Sequence, residues 1–198
     1  MAIASAQPKV LADVIPHTWA RQLVLVAGAA AFVGLSAQVA FYLPWNPAVP
    51  ITLQTFAVVL SAAALGSVRG TLAMALYALL GGLGVPWFAE HKSGFGGPAF
   101  GYIIGFIVAA WVVGKVAEMG ATRTVLRTAG LMILGNVIIY AVGVTWLKYS
   151  LSLPWFGAQS AFAFGVKDFV IGDLIKIAFA AGLLPATWAL LRKLKLSD

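Results

Sequence analysis

The sequence predicts an all-α membrane protein with six transmembrane helices and both termini in the cytoplasm. Three observations predict it: the composition, six apolar runs of membrane-crossing type, and an unequal distribution of cations between the turns. Hydrophobic residues make up 62% of the 198 residues and charged residues 10%, against about 45–50% and about 25% in a soluble domain. A soluble domain of this size buries only about 70% of the surface that its unfolded chain exposes. Lipid is therefore expected to cover the remainder.

The six apolar runs are each close to the roughly 20 helical residues that cross a bilayer core of about 30 Å. Pro44 ends the first run, because proline cannot continue a regular helix. The second run turns at residues 66–70 into the third, which Pro86 ends. The predicted spans are 22–43, 52–65, 71–85, 100–119, 125–149 and 172–191. We found no internal repeat or linker, so residues 1–198 are predicted to form a single integral membrane domain.

Lysine and arginine lie mostly on one side of these spans. One side has nine cations: Lys9, Arg21, Arg69, Lys115, Arg123, Arg127, Arg192, Lys193 and Lys195. The other side has Lys92, Lys148 and Lys167. The positive-inside rule therefore places both termini in the cytoplasm and the long loops 44–50 and 88–98 outside.

Several functional classes lack the residues that they need. The net charge of +7 is spread between apolar blocks, which indicates contact with anionic lipid and no nucleic acid. The chain has no cysteine, no P-loop, no His, Asp and Glu cluster of metal-ligand spacing and no nucleophile with a base on a facing span. We therefore expect a binding or transport protein, with no enzymatic activity, no metal and no cofactor.

Asp173 and Lys176 are the costliest residues of the predicted membrane part. Each costs about 2.5–3.5 kcal/mol at a helix centre unless it is paired or hydrated. Their three-residue spacing places them on one face of the sixth span. They can form the polar floor of a ligand site, a self-satisfied pair near the outer interface, or a proton relay. The first interpretation makes both residues ligand-binding candidates.

Other polar and aromatic residues are candidates for ligand contact. At membrane depth they are Thr52, Gln54, Tyr102 and Asn136; in the outward loops they are Trp45 and Phe88. An interhelical hydrogen bond is the structural alternative for Asn136. Interfacial anchoring is the alternative for the two loop aromatics.

The first span has small residues at four-residue spacing, with Ala27 paired to Ala31 and Ala30 to Gly34. Small residues so spaced form a flat strip that another helix can approach closely. The helix that packs there can belong to this chain or to a partner protein.

Six segments in order resemble one family. They are Val49-Pro50-Ile51-Thr52-Leu53-Gln54-Thr55-Phe56, the glycine-rich turn with Arg69, Leu83-Gly84-Val85-Pro86-Trp87-Phe88-Ala89, Gly101-Tyr102, Gly135-Asn136 with Ile139-Tyr140, and Gly172-Asp173-Leu174-Ile175-Lys176. Over residues 27–184 the chain looks like the BioY family, the biotin-capturing S subunits of energy-coupling-factor transporters in prokaryotes. The chain departs from the family's usual prolines at Asp168 and Ile171.

The resemblance implies a six-helix protein of the prokaryotic inner membrane that binds biotin near its outer face. It implies that Asp173 and Lys176 contact the ureido head of biotin and that the loop Trp45–Pro50 acts as an outward lid. It also implies a transmembrane coupling subunit and two ATPase subunits as partners, with the small-residue strip docking the coupling subunit. An S subunit for another vitamin, or a stand-alone carrier or channel for a small solute, is the alternative.

Overall fold

The computed structural model describes residues 8–14 and 18–194; Lys195, counted above among the cations of one side, lies outside them. These residues form seven α-helices, one β-hairpin and four short 3₁₀ turns. The helices are α1 (Trp19–Gln38), α2 (Gln54–Leu65), α3 (Ser67–Gly82), α4 (Phe100–Glu118), α5 (Val125–Ser150), α6 (Ala161–Gly165) and α7 (Val170–Lys193). The strands are β1 (Ala40–Leu43) and β2 (Asn46–Thr52).

The hairpin corrects the all-helical prediction and the end of the first predicted span. Helix α1 ends at Gln38, and β1 pairs antiparallel with β2, with Ala40 opposite Thr52 and Phe41 opposite Ile51. Aromatic and β-branched residues favour strands. A two-stranded sheet consists of edge strands only, so the prolines of β2 remove no necessary ladder bond. The sequence predicts a helix as far as residue 43, whereas the last four residues of that run form β1.

The junction between α2 and α3 is a single glycine, so α3 starts four residues earlier than predicted. Gly66 has a φ of 84°, a conformation that glycine adopts without strain. The Glu118 carboxylate accepts hydrogen bonds from the Ser67 N–H and hydroxyl, both at 2.8 Å. A carboxylate at a helix N-terminus satisfies a free N–H and interacts favourably with the helix dipole. These contacts explain why the helix resumes directly after Gly66.

Four helical segments are long and apolar enough to cross a membrane: Trp19–Gln38, Phe100–Glu118, Val125–Ser150 and Ala161–Lys193, the last consisting mainly of α7. The chain is therefore a multi-pass membrane protein. Helices α2 and α3 have 12 and 16 residues, or about 18 Å and about 24 Å at the usual rise per residue. The count of six spans stays a prediction.

Helix α2 lies at the centre of the bundle and packs against α1, α3, α4, α5 and α7. The outer helices follow one another around it in the order α1, α3, α4, α5, α7. Helices α1 and α7 flank α2 without packing substantially against each other. The ring of helices around α2 is therefore open between α1 and α7.

One end of the bundle gathers most of the cations. Arg69, at the start of α3, forms a 2.9 Å ion pair with Asp13. Arg123, between α4 and α5, donates a hydrogen bond to the Pro8 carbonyl and lies over the ring of Trp188 near the end of α7. These contacts bring the chain before α1, the α2–α3 and α4–α5 junctions and the last turns of α7 to the same end. The hairpin and the loops 83–99 and 151–169 lie at the opposite end.

Candidate functional site

A cavity of about 470 Å³ lies at the end of the bundle away from the cation-rich end. The hairpin, the loop 83–99 and the first turns of α2, α4 and α7 surround it, and α5 adds Tyr140. Pockets for small ligands have volumes of about 300–1,000 Å³ and mostly apolar walls with few polar groups. The cavity is thus of the size of a small-molecule site.

Lys176 lies at the inner wall of this cavity, in contact with Asp173. The Lys176 ammonium donates to Asp173 Oδ1 at 3.1 Å and to Thr55 Oγ1 at 3.0 Å. Thr55 donates in turn to Asp173 Oδ1 at 3.4 Å, and the Tyr140 hydroxyl donates to Asp173 Oδ2. Three helices, α2, α5 and α7, therefore meet in one hydrogen-bonded cluster.

The burial of this cluster bears on the alternatives for the charged pair. The side chain of Asp173 is 6% exposed and that of Lys176 is 11% exposed, so the pair does not extend toward lipid headgroups. Lys176, Thr55 and Tyr140 line the cavity, whereas Asp173 lies behind them. A buried ion pair contributes little stability against its desolvation cost. The pair is thus satisfied by its own contacts and buried, with Lys176 at the cavity wall.

Thr52 and Gln54 form a second polar group on the cavity wall. Thr52 Oγ1 accepts from the Gln54 N–H and donates to Gln54 Oε1, both at 3.2 Å. Gln54 Nε2 donates to the Tyr77 hydroxyl at 2.8 Å, and Tyr77 donates to the Trp87 carbonyl at 3.3 Å. These bonds hold the amide of Gln54 in one orientation at the start of α2.

Aromatic side chains form a further part of the wall, including Phe88 and Tyr102, which are among the candidates from the sequence. Phe88 packs on Tyr77 with ring centroids 5.3 Å apart. Tyr102 packs edge to face on Tyr140 at 6.4 Å, and its hydroxyl donates to the Gly165 carbonyl at 2.9 Å. The wall also contains four further phenylalanine rings: Phe95, Phe100, Phe106 and Phe169.

An ion pair lies at the rim, between the loop 83–99 and the hairpin. Lys92 contacts Glu90 Oε2 at 2.6 Å, and the Tyr42 hydroxyl donates to the same oxygen at 3.1 Å. The hydrogen bond from Lys92 lowers the pKa of Glu90, and the same bond raises the pKa of Lys92. Both groups therefore stay charged around neutral pH. Lys92 and Tyr42 line the cavity, whereas Glu90 does not.

Besides Asp173, which lies behind the wall, two further candidates do not line the cavity. Asn136 is buried in α5 away from the lining. Trp45 is 65% exposed at the hairpin tip, where its Nε1 donates to Asp168 Oδ1 at 3.4 Å. Among the described residues, no group of three His, Asp or Glu side chains could hold a metal ion.

The wall also contains polar residues that were not among the site candidates, such as Tyr42, Thr55, Lys92 and Tyr140. A sequence signal existed for two of them. Thr55 follows Gln54 directly at the start of α2, and Tyr140 is four residues from Asn136, on the same side of α5. For Tyr42 and Lys92 the signal was absent, because their position depends on how two loops meet.

The small residues of α1 divide between two faces. Ala27 and Ala31 are exposed, and a side chain at neighbouring Gly28 would meet no atom within 4 Å. Ala30 and Gly34 are buried, and a Cβ at Gly34 would lie 3.1 Å from the ring of Trp87. Ala30 and Gly34 thus pack within the protein, whereas Ala27 and Ala31 remain exposed on its surface.

Comparison with known proteins gives consistent results. A family model described as the BioY family matches residues 6–193. The Biotin transporter BioY of Thermotoga maritima is 43% identical over 142 residues, which cover 70% of this chain and 80% of that protein. The Biotin transporter BioY of Rhizobium etli is 35% identical over 172 residues, covering 81% and 89%.

A solved structure shares the fold. It is a crystal structure of the S-component for biotin from an ECF-type ABC transporter, which matches with a TM-score of 0.73 over 88% of this chain and 95% of that one. The identity is 20%, so the match concerns the architecture of the bundle.

Proposed function

The chain belongs to the BioY family, and on that basis we propose that it captures biotin in the cavity, as the S subunit of an energy-coupling-factor transporter. The observation that carries this proposal is the buried Lys176 and Asp173 pair at the wall of a cavity with aromatic sides. The relatives named above are transporters, and the role proposed here is capture and uptake without chemical conversion.

Biotin has groups that match this wall. Its bicycle is apolar apart from a ureido unit with two N–H donors and one carbonyl acceptor. Lys176 donates to the ureido carbonyl, and a ureido N–H takes the place of the ammonium at Asp173 Oδ1. The aromatic walls cover the bicycle, with Phe88 on one side. The ligand thus separates the two charges and gives each a partner.

The carboxylate tail of biotin reaches the rim, where Lys92 is the cation that lines the cavity. Lys92 is paired with Glu90 in the ligand-free protein, so the tail replaces one carboxylate by another. The ion pair is exposed, and an exposed pair contributes at most about 1 kcal/mol. Lys92 therefore contributes to the choice of an anionic ligand more than to affinity.

The energies are of the right size for tight binding. Hydrogen bonds to charged groups contribute about 1.5–3 kcal/mol each. Two or three of these, together with the burial of the bicycle, approach the roughly 12 kcal/mol of a nanomolar complex.

The distribution of cations supports a position of the cavity on the outer side of the membrane. The cation-rich end holds the helix junctions near Arg69 and Arg123, and the positive-inside rule assigns such an end to the cytoplasm. The hairpin then acts as the outward lid. We further propose six spans in the inner membrane of a prokaryotic cell, and a coupling subunit with two ATPase subunits as partners.

Titration of the purified protein with biotin tests this proposal. We expect saturable 1:1 binding with a submicromolar Kd in detergent or nanodiscs, and competition by desthiobiotin but not by thiamine or riboflavin. Displacement by thiamine or riboflavin at comparable concentration would instead indicate an S subunit for another vitamin. Absence of biotin binding by folded, monodisperse protein would refute the proposal.

Substitution of Lys92 by methionine tests the position of the tail. We expect the Kd for biotin to rise about fivefold, the effect of losing an exposed ion pair of about 1 kcal/mol, and the Kd for biotin methyl ester to stay unchanged. Lys148→Met is the matched control, because Lys148 does not line the cavity. An equal loss for both ligands in Lys92→Met would move the carboxylate away from Lys92.

A further inference from the structure

The tip of the hairpin is bound to the segment that precedes α7. Asn46 Nδ2 donates to Asp168 Oδ2 at 3.0 Å and to the Phe164 carbonyl at 2.8 Å. Trp45 Nε1 donates to Asp168 Oδ1 at 3.4 Å. Asn46 is 1% exposed, so the contact is closed to solvent on the Asn46 side. Both oxygens of one carboxylate thus receive donors from the tip.

Asn46 is oriented for this contact by its own strand. Its Oδ1 accepts from the Ala48 N–H at 3.2 Å, a local turn that Asn side chains favour. This bond leaves Nδ2 as the donor that points away from the hairpin, toward Asp168 and Phe164. The side chain therefore connects two segments that are 118 and more residues apart in sequence.

The hairpin is also a wall of the cavity. Ala48, Val49, Pro50 and Thr52 line it from β2. The base of the hairpin is continuous with α1 and α2 and is closed by a bond from the Leu53 N–H to the Val39 carbonyl. The hydrogen bonds from the tip to the segment before α7 all come from side chains of the hairpin, so a swing about the base moves β2 away from the cavity once those bonds break.

We propose that Asp168 is a positioning residue that holds the hairpin tip closed and thereby sets the rate at which ligand enters and leaves the cavity. The inference rests on the proposed function only in that a ligand occupies the cavity. Phe169, the next residue, lines the cavity, and α7 begins one residue later with the turns that carry Asp173 and Lys176. The contact therefore joins the lid to the element that binds the ligand.

The tip contact exists in the closed hairpin whether or not the cavity is filled. Its loss raises the fraction of open hairpin with and without ligand by the same factor. Both the association and the dissociation rate constants of biotin then increase, while their ratio stays constant. A residue that merely shapes the site would change the Kd instead.

The variant Asp168→Ala tests the inference by rapid-mixing measurement of both rate constants. We expect each to rise about tenfold, the effect of losing a hydrogen bond to a charged group, with the Kd unchanged within about twofold. Trp45→Phe removes one of the donors and is expected to give a smaller rise of the same kind. Lys167→Ala, at the exposed neighbouring position, is the matched control and is expected to leave both constants unchanged. Unchanged rates in Asp168→Ala, or a higher Kd with an unchanged association rate, would overturn the inference.

Amide hydrogen exchange of residues 40–52 in the ligand-free protein separates this inference from the proposed function. We expect faster exchange in Asp168→Ala than in the wild type and in Lys167→Ala, at an unchanged melting temperature. Faster exchange in a protein that fails to bind biotin would refute the proposed function and support the tip contact. Biotin binding with unchanged exchange would do the reverse.

Discussion

Replacing Lys176 by methionine is expected to raise the Kd for biotin by about 10- to 150-fold, since a hydrogen bond from a charged donor contributes about 1.5–3 kcal/mol. Methionine keeps most of the volume of the side chain and removes the ammonium that lines the cavity. Calorimetric titration of the purified variant measures the change.

Asp173→Asn is expected to weaken binding by at least tenfold for a different reason. Asp173 does not line the cavity of the ligand-free protein, and it acts by holding Lys176, Thr55 and Tyr140. Asparagine keeps the shape but offers only one acceptor oxygen and no charge. The site then loses both the orientation of the ammonium and the acceptor for a ureido N–H.

The double variant Lys176→Met with Asp173→Asn distinguishes a ligand role from a purely structural pair. Removal of one partner leaves a buried charge uncompensated, which destabilises a protein by about 3–5 kcal/mol, whereas removal of both is often neutral. We therefore expect each single variant to melt below the wild type and the double variant to recover the melting temperature without recovering binding. Unchanged affinity in both single variants would exclude the pair from the site.

The charged pair is predictable from the sequence because a charged side chain within an apolar span costs free energy unless it has a partner. A charge in an apolar span needs a partner wherever it points, and the structure provides those partners within a cavity wall. Asn136 shows the limit of the same argument. Its amide is equally costly, but the free energy of burial does not say which residue along that side of α5 reaches the cavity, and the structure places Tyr140, one turn further along, in the wall instead.

The hairpin was missed for a related reason. Apolar character alone does not distinguish the last residues of a helix from a short strand that follows it, so the run to residue 43 fits one long helix. The decision between them depends on the pairing of β1 with β2, a tertiary contact that composition does not carry. The hydrogen bond from Asn46 to Asp168 joins residues 122 apart in sequence, and it could not be predicted for the same reason.

The α1 strip shows how a spacing rule can predict a surface without predicting its occupant. Four-residue spacing identified both Ala27 with Ala31 and Ala30 with Gly34. Trp87 packs on Gly34, so the second pair is buried against other residues of the same protein. The first pair remains on the exposed face of α1.

Ala31→Trp is accordingly expected to abolish co-purification with the coupling subunit and energised biotin uptake, while leaving the Kd for biotin unchanged. Small residues allow two helix backbones to approach closely in a membrane, and an indole at position 31 holds a partner helix away. The cavity lies at the hairpin end of the bundle, and neither Ala27 nor Ala31 lines it.

The matched control is Ala186→Trp, which adds the same indole to an exposed position on α7. A tryptophan there tests whether any bulky addition to the bundle surface blocks assembly, and we expect uptake to persist. Equal loss in both variants would point to a general effect on insertion. Wild-type assembly in Ala31→Trp would place the coupling subunit on another face, and the open half of the α1 strip would then be a lipid contact, since lipid chains adapt to a flat face as readily as to a ridged one.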